Sequence, residues 1–373
     1  MQKLAIIGAS YLQEPLVRKA KEMGLYTICF AWREGATCAD ICNKFYPISI
    51  IEKEEILRIC EEERIDGITT IASDTATLAV NYVASRMGLI SNPDEYSEIC
   101  TNKFRMRECF VSHDVPSPKF ALATDAGGFS TDSFKFPLIV KPTDRSGSRG
   151  VEKIIAIEQL PAAIERARSN SFEHKAIIEE YVSGREISVE TISFEGKHHI
   201  LQITDKVTTG EPYFVELEHH QPSALPYDIQ YKVRSVVTNA LDALHIQYGA
   251  SHSELKITEN NDIFVIEIGA RMGGDFIGSN LVQLSTGYDF VRGVIEVALG
   301  RFTTPVLSMS MCSGVFFLCK KTEWLLPIIN NCTAYPEIIE ARITDSTLRN
   351  IESSGDRSGY AIYQSEKRIN LHK

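Results

Sequence analysis

Between Lys3 and Met87 short apolar runs and amphipathic stretches take turns, and that alternation admits few architectures. Residues 3–8 read as a buried-type strand. Gly8-Ala9-Ser10 then turns into a helix carrying Leu16, Val17, Ala20 and Met23. A second strand is expected at 25–32, a helix at 53–63, a third strand at 67–72 and another helix at 75–87. Strands and helices in this order predict a parallel, doubly wound sheet. Ligands of such sheets sit at the carboxyl ends of the strands, here near Gly8 to Ser10 and Ser73-Asp74. A Rossmann dinucleotide site is excluded, because the first turn has one glycine where G-x-G-x-x-G needs three. Asp74 is expected to cap the helix that begins at Thr75, with a substrate contact as the alternative.

The middle of the chain has a different character. F-P-L-I-V-K-P-T-D-R-S-G-S-R-G-V, from Phe136, is an apolar strand that delivers Lys141 and is broken by Pro142. A loop of small residues follows, Ser146-Gly147-Ser148-Arg149-Gly150. After a short strand (151–157) and a helical segment comes A-I-I-E-E-Y-V-S-G-R-E, a strand ending in Glu179 and Glu180. A cation, free backbone amides and small hydroxyls suit a polyphosphate. Carboxylates beside β-branched residues suit a base edge and a ribose. Upstream, a helical stretch at 96–113 bears Lys103. Downstream are a long helix at 227–245, strands at 250–257 and 263–268, a glycine-rich loop at 269–278 and a helix at 288–299. Beyond Arg301 come strands and turns. Glu254 and Glu267 fall on the last strand pair, near Arg271. Two such carboxylates suit either Mg²⁺ on a polyphosphate or a structural ion pair.

Composition narrows the function classes. The 373 residues allow two or three domains and a sizeable core. A net charge of −10 argues against nucleic acid or a membrane surface as partner, since both call for a basic face. It leaves room for a nucleotide in one basic cleft. The nine cysteines lack metal-site spacing and are expected to be free thiols in a reducing cytoplasm. The N-terminus is too soon broken by glycine to read as a signal peptide, and no run reaches membrane-spanning length.

Three motifs, V-K-P-x-x-x-S-G-S-R-G, E-E-Y-V-S-G-x-E and E-x-G-x-R-x-G-G, together resemble the ATP-grasp superfamily, in particular its carboxylate–amine ligases. Carbamoyl-phosphate synthetase large chains, D-alanine–D-alanine ligases and amino-acid ligases are the similar groups. The resemblance covers nearly the whole chain. It implies an α/β protein with an N-terminal doubly wound parallel-sheet domain (1–94), a central ATP-grasp α+β domain pair (95–300, lid about 136–195) and a small C-terminal strand-rich module (301–373). It implies ATP and Mg²⁺, with Mn²⁺ as an alternative, small carboxylate and amine substrates, and a homodimer.

Site residues follow from the resemblance by position. Lys103 and Lys141 look like the lysines that embrace the phosphates, and Ser146, Gly147 and Ser148 like the lid closing over them. Glu179, Glu180 and Val182 resemble the hinge strand at the adenine edge, with Tyr181 beneath it. Glu186 matches the carboxylate that takes the ribose hydroxyls. Glu254 and Glu267 match the metal ligands. Here the chain departs from the commoner pattern, because Gly269 stands where asparagine is usual. Arg271 matches the arginine that steadies the substrate carboxylate and the phosphoryl group, and the amides of Gly273 and Gly274 could reach the same oxygens. Lys206 and His220 lie in a segment that lines the acceptor side in similar ligases. Glu218, His219 and His252 share that expectation, whereas Asp275 and Arg357 receive no definite role. The implied reaction forms an acyl phosphate from ATP and a carboxylate, then an amide. The alternatives are a purine-biosynthesis-type carboxylase or a glycinamide-ribonucleotide-type synthetase on the same ATP site, and a non-catalytic nucleotide-binding protein.

Overall fold

The computed structural model of the chain describes residues 1–124, 133–145, 147 and 149–371. Its N-terminal sheet is parallel and has four strands, β1 (Lys3–Ile7), β2 (Tyr26–Phe30), β3 (Lys44–Tyr46) and β4 (Gly67–Thr69), in the order β3-β2-β1-β4. Period-two alternation sends Leu4 and Ile6 to one face and Ala5 and Ile7 to the other, and both faces are covered. Leu4 and Ile6 pack on the Glu14–Glu22 and Phe290–Ala298 helices. Ala5 and Ile7 pack on the Lys53–Glu63 and Asp74–Met87 helices. The doubly wound expectation therefore holds. The sequence reading passes over β3, three residues too short to show a period. The sheet reverses its strand order between β1 and β4, which opens the crevice at their carboxyl ends.

A small β3–helix clamp gives a stability prediction. Glu63 accepts from Lys3 Nζ at 2.9 Å and Tyr46 Oη at 2.7 Å and also pairs with Lys44. Lys44, Tyr46 and Lys3, in that order, hold its carboxyl down at about 2. A depressed carboxylate stabilises the fold above its unfolded value and loses that effect as pH falls through the folded one. Glu63→Gln is thus expected to lower the melting temperature at pH 7. The gap to the parent should shrink as pH drops from about 4.5 towards about 2. A constant gap across that range in calorimetry would contradict the clamp.

The second sheet is antiparallel, with β5 (Phe120–Ala123), β6 (Leu138–Pro142), β7 (Glu152–Ile154) and β8 (Ala176–Glu180) in the order β5-β8-β6-β7. The Leu160–Asn170 helix covers it through Leu160, Ala163, Ile164 and Ala167. The third sheet has eight antiparallel strands: β9 (Arg185–Phe194), β10 (Lys197–Thr208), β11 (Glu216–Gln221), β12 (Gly249–Ile257), β13 (Ile263–Gly269), β14 (Cys312–Leu318), β15 (Ile338–Ile343) and β16 (Gly359–Ser365). Their order is β13-β12-β9-β10-β11-β14-β16-β15. The C-terminal strands thus extend this sheet through β11 and β14. Ile229, Val233, Val237 and Leu241, one apolar stripe of the Tyr227–Ala243 helix, pack on β9, β10, β12 and β13. Among the described residues no helix is long and apolar enough to cross a membrane.

Candidate active site

A cleft of about 820 Å³, open to solvent, lies between the second and third sheets. Lys103, Lys141, Gly147, Glu179, Glu180, Val182, Glu186, Glu254 and Glu267 all line it. Nine of the eleven residues expected at the nucleotide and metal sites therefore converge on one space. The other two, Ser146 and Ser148, lie outside the described residues.

Local structure explains the convergence. Asn102 caps the Lys103–Ser112 helix by accepting from the amides of Phe104 and Arg105, so Lys103 opens that helix at the cleft wall. Its Nζ donates to Arg145 O and Glu267 Oε1, each at 2.7 Å. Lys141 is the last residue but one of β6, which pairs antiparallel with β8, and its Nζ meets Glu179 Oε2 at 2.7 Å. Burial lowers the Lys141 pKa, partly offset by Glu179. Glu179 is therefore a side-chain partner of the lysine. Glu180 is turned towards Lys135, whose amide donates to its Oε1 at 2.9 Å. Tyr181 lines the cleft and packs against Phe214 and under Lys153.

Arg107 is a residue the sequence reading missed. It is fully buried and lies 2.9 Å from Glu179 Oε1 through Nε, an ion pair without hydrogen-bond alignment. Its Nη2 donates to Ile266 O on β13. One residue thus ties β8 to β13 under the cleft. It stands four positions after Lys103, hence on the same helix face, and that spacing was legible.

Glu254 and Glu267 face each other directly in the β12–β13 register, with a bulge immediately after Glu254. Among the described residues no group of three or more histidine, cysteine, aspartate or glutamate side chains forms a metal cage. Two facing carboxylates are the donor set of a Mg²⁺ that arrives on a polyphosphate and keeps its remaining positions for phosphate and water. The residues fit that ion.

Lys206 is buried at the inner end of this site and contacts three carboxylates, Glu254 at 2.8 Å and Glu186 and Glu216 at 3.2 Å. Burial opposes its charge, but Glu254, Glu216 and Glu186 outweigh that and raise its pKa well above the ordinary value. Behind Glu254, His252 Nε2 lies 3.3 Å from Glu254 Oε1 while Nδ1 meets the buried Glu190. Burial disfavours the imidazolium, yet Glu190 and then Glu254 prevail and raise it to about 9. Glu190 also accepts the amide of Gly273 at 3.0 Å. A Cβ on Gly273 would come within 2.7 Å of both Glu190 and His252, so the glycine is needed for this close approach. Glu190 stands at i+4 from Glu186 on β9, on the same sheet face, a signal the sequence carried.

Three expectations are corrected. His220 is buried with Nδ1 at 2.9 Å from Tyr363 Oη and Nε2 at 2.8 Å from Glu218, so it is turned into the C-terminal part of the sheet and not to the cleft. The pleat sends its neighbour His219 the other way, 3.8 Å from Asp275. The Gly273 amide is engaged by Glu190, not open to a substrate, and Gly274 rests near Ala72. Asp74 does not cap its helix. Ser73 does, accepting from Ala76 N, and Asp74 instead pairs with Arg271. Arg357 reaches in from the C-terminal segment, bonding Asp275 at 2.7 Å and Glu216 O at 2.9 Å over the face of Phe317. That grip holds Asp275 and Phe276, two consecutive non-glycine residues in the left-handed region.

A parallel α/β sheet, a small antiparallel lid sheet and a long antiparallel sheet enclosing such a cleft define the ATP-grasp fold. Residues 134–279 match the family model described as the ATP-grasp domain, and the chain carries such a domain. It is 28% identical over 268 residues to alanine–anticapsin ligase of Bacillus subtilis, an alignment covering 65% of this chain and 56% of that protein. The chain thus spans little more than half of that relative. Formate-dependent phosphoribosylglycinamide formyltransferase of Sulfurisphaera tokodaii is 24% identical, with 88% of this chain and 84% of that protein covered. Among solved structures, L-amino acid ligase from Bacillus licheniformis superposes with a TM-score of 0.81 at 22% identity, over 98% of this chain and 94% of that one.

Proposed function

We propose that the protein is an ATP-dependent ligase that activates a small carboxylate as an acyl phosphate and joins it to an amine, releasing ADP and phosphate. The observation that carries this reading is the convergence of two lysines, a hinge strand and two facing carboxylates on one cleft. ATP would lie with its adenine along Glu179, Glu180 and Val182, its ribose at Glu186 and its phosphates between Lys103 and Lys141. Glu254 and Glu267 would hold Mg²⁺, which when bound neutralises phosphate charge and polarises the phosphoryl oxygens.

The chemistry needs no side-chain nucleophile. A carboxylate oxygen of the substrate attacks the γ-phosphorus and the bond to ADP breaks. The amine nitrogen then attacks the acyl carbon, phosphate leaves with the bonding pair, and the amine proton passes to solvent. Lys141 would neutralise the phosphoryl group in transit and Arg271 would orient the carboxylate. Closing the lid segment would keep water from the acyl phosphate. Similarity to alanine–anticapsin ligase and L-amino acid ligase supports an amino acid as one substrate. We also propose a homodimer in the cytoplasm, the latter supported by nine unpaired thiols, and domain limits of 1–94, 95–300 and 301–373.

The test is phosphate release from Mg·ATP against a panel of amino acids and other small carboxylates, with hydroxylamine present. A hydroxamate formed with one acid is the expected result and names that acid. Phosphate release with bicarbonate alone would move the reading to a carboxylase. ATP binding without turnover across the panel would favour a non-catalytic nucleotide-binding protein.

A further inference from the structure

The fork of Arg271 is occupied from outside the ATP-grasp sheets. Nε and Nη2 donate to Asp74 Oδ1 and Oδ2 at 2.9 and 3.0 Å, a bidentate pair between the glycine-rich loop and the N-terminal domain. Both side chains are largely buried, at 16% and 14% exposure. Such a pair fixes the plane of a guanidinium as well as its position.

Two features of the sequence make the contact. Ser73 takes over the helix cap, which leaves the Asp74 carboxylate available to reach across. Gly269 leaves the space it reaches into. A Cβ at Gly269 would lie 2.4 Å from Asp74 Oδ1 and 3.0 Å from Arg271 Nε and Cζ. Gly269 ends strand β13 and is not in the left-handed region, so its backbone alone does not call for glycine. The neighbouring loops are joined as well, since Ala72, at φ 56°, donates its amide to Met272 O at 3.2 Å.

We infer that Asp74 is the positioning residue of Arg271, and that Gly269 is glycine because the Asp74 carboxylate fills the place of its side chain. The departure from the usual asparagine is then a substitution in space. A group from the N-terminal domain takes the room that a side chain at this β13 position would fill and uses it to set the arginine. The consequence for substrate rests on the ligase reading above, whereas the link between residues 74 and 269 does not.

The experiment has two readouts. The first is urea unfolding of the parent, Asp74→Ala, Gly269→Ala and the double variant. Gly269→Ala is expected to lower the midpoint clearly on its own and far less in the Asp74→Ala background. Additive effects would overturn the spatial link. The second is steady-state kinetics of Asp74→Asn with the acid that the parent converts to a hydroxamate. The KM for that acid is expected to rise about 10- to 100-fold, by analogy with side chains that orient metal ligands, with the KM for ATP unchanged. A merely structural loss would lower kcat and move neither KM, and that result would overturn the positioning role. If the parent converts no acid, the ligase reading fails while the unfolding cycle still decides the contact.

Discussion

Glu267→Gln is expected to lower kcat/KM by about 100-fold or more while leaving the fold intact. Partners one shell out from a metal already give about 10- to 100-fold effects, and Glu267 is proposed here as a direct ligand. It faces Glu254 across the β12–β13 register and accepts the Lys103 ammonium at 2.7 Å. The amide keeps the size of the side chain but removes the charge that both Lys103 and a phosphate-borne cation require. Excess Mg²⁺ or Mn²⁺ should recover part of the rate, because the loss is one of cation affinity. The measurement is a metal titration at saturating ATP, with circular dichroism as the control for folding. Parent-like activity at low Mg²⁺ would remove Glu267 from the metal site.

Arg107→Met is expected to destabilise the protein by about 3–5 kcal/mol, towards the lower end because Lys141 still faces Glu179. The buried set is Arg107, Glu179 and Lys141, and without Arg107 the Glu179 carboxylate keeps one of its two cations, Lys141. The bond from Arg107 to Ile266 O is lost with it. Methionine fills much of the volume, so the effect is one of charge more than of a cavity. Adding Glu179→Gln should lower stability further, since it takes from the buried Lys141 ammonium the carboxylate that faces it. Urea unfolding of the two single variants and the double variant reads this coupling directly. An unchanged midpoint for Arg107→Met would show that the triad does not hold β8 to β13. Weaker ATP binding by the folded variant is expected as well, because the same residues set Lys141.

These expectations rest on residues of unequal visibility. Glu186 was placed by the family resemblance, and Glu254 only as the companion of Glu267 on the neighbouring strand. Lys141, Glu179 and Glu267 were legible because each stands within or at the end of an apolar strand. There a charge among apolar neighbours has few reasons to be present. The N-terminal sheet was legible for a similar reason, its two buried faces writing themselves as L-A-I-I and Y-T-I-C-F. His220 was misjudged because a pleated strand gives adjacent histidines opposite faces, whereas the sequence reading gave His219 and His220 one expectation. The Gly273 amide was misjudged because its partner, Glu190, is distant in sequence and reaches it only through the folded sheet.

Local pattern determined the strands and helices, the small-residue loop and the list of charged residues that a phosphate-binding cleft would need. Period and turn chemistry act between near neighbours, and a sequence displays near neighbours directly. Only the tertiary structure decided how the charges pair: Arg271 with Asp74 across 197 positions, Arg107 with Glu179, Lys206 among Glu186, Glu216 and Glu254, and Arg357 with Asp275. Each pairing depends on distances of about 3 Å between separate elements, and a buried ionic group is held by whichever opposite charge the packing brings that close. Gly269 joins the two levels. As a letter it is a missing ligand, and in space it is the room that a carboxylate from another domain occupies.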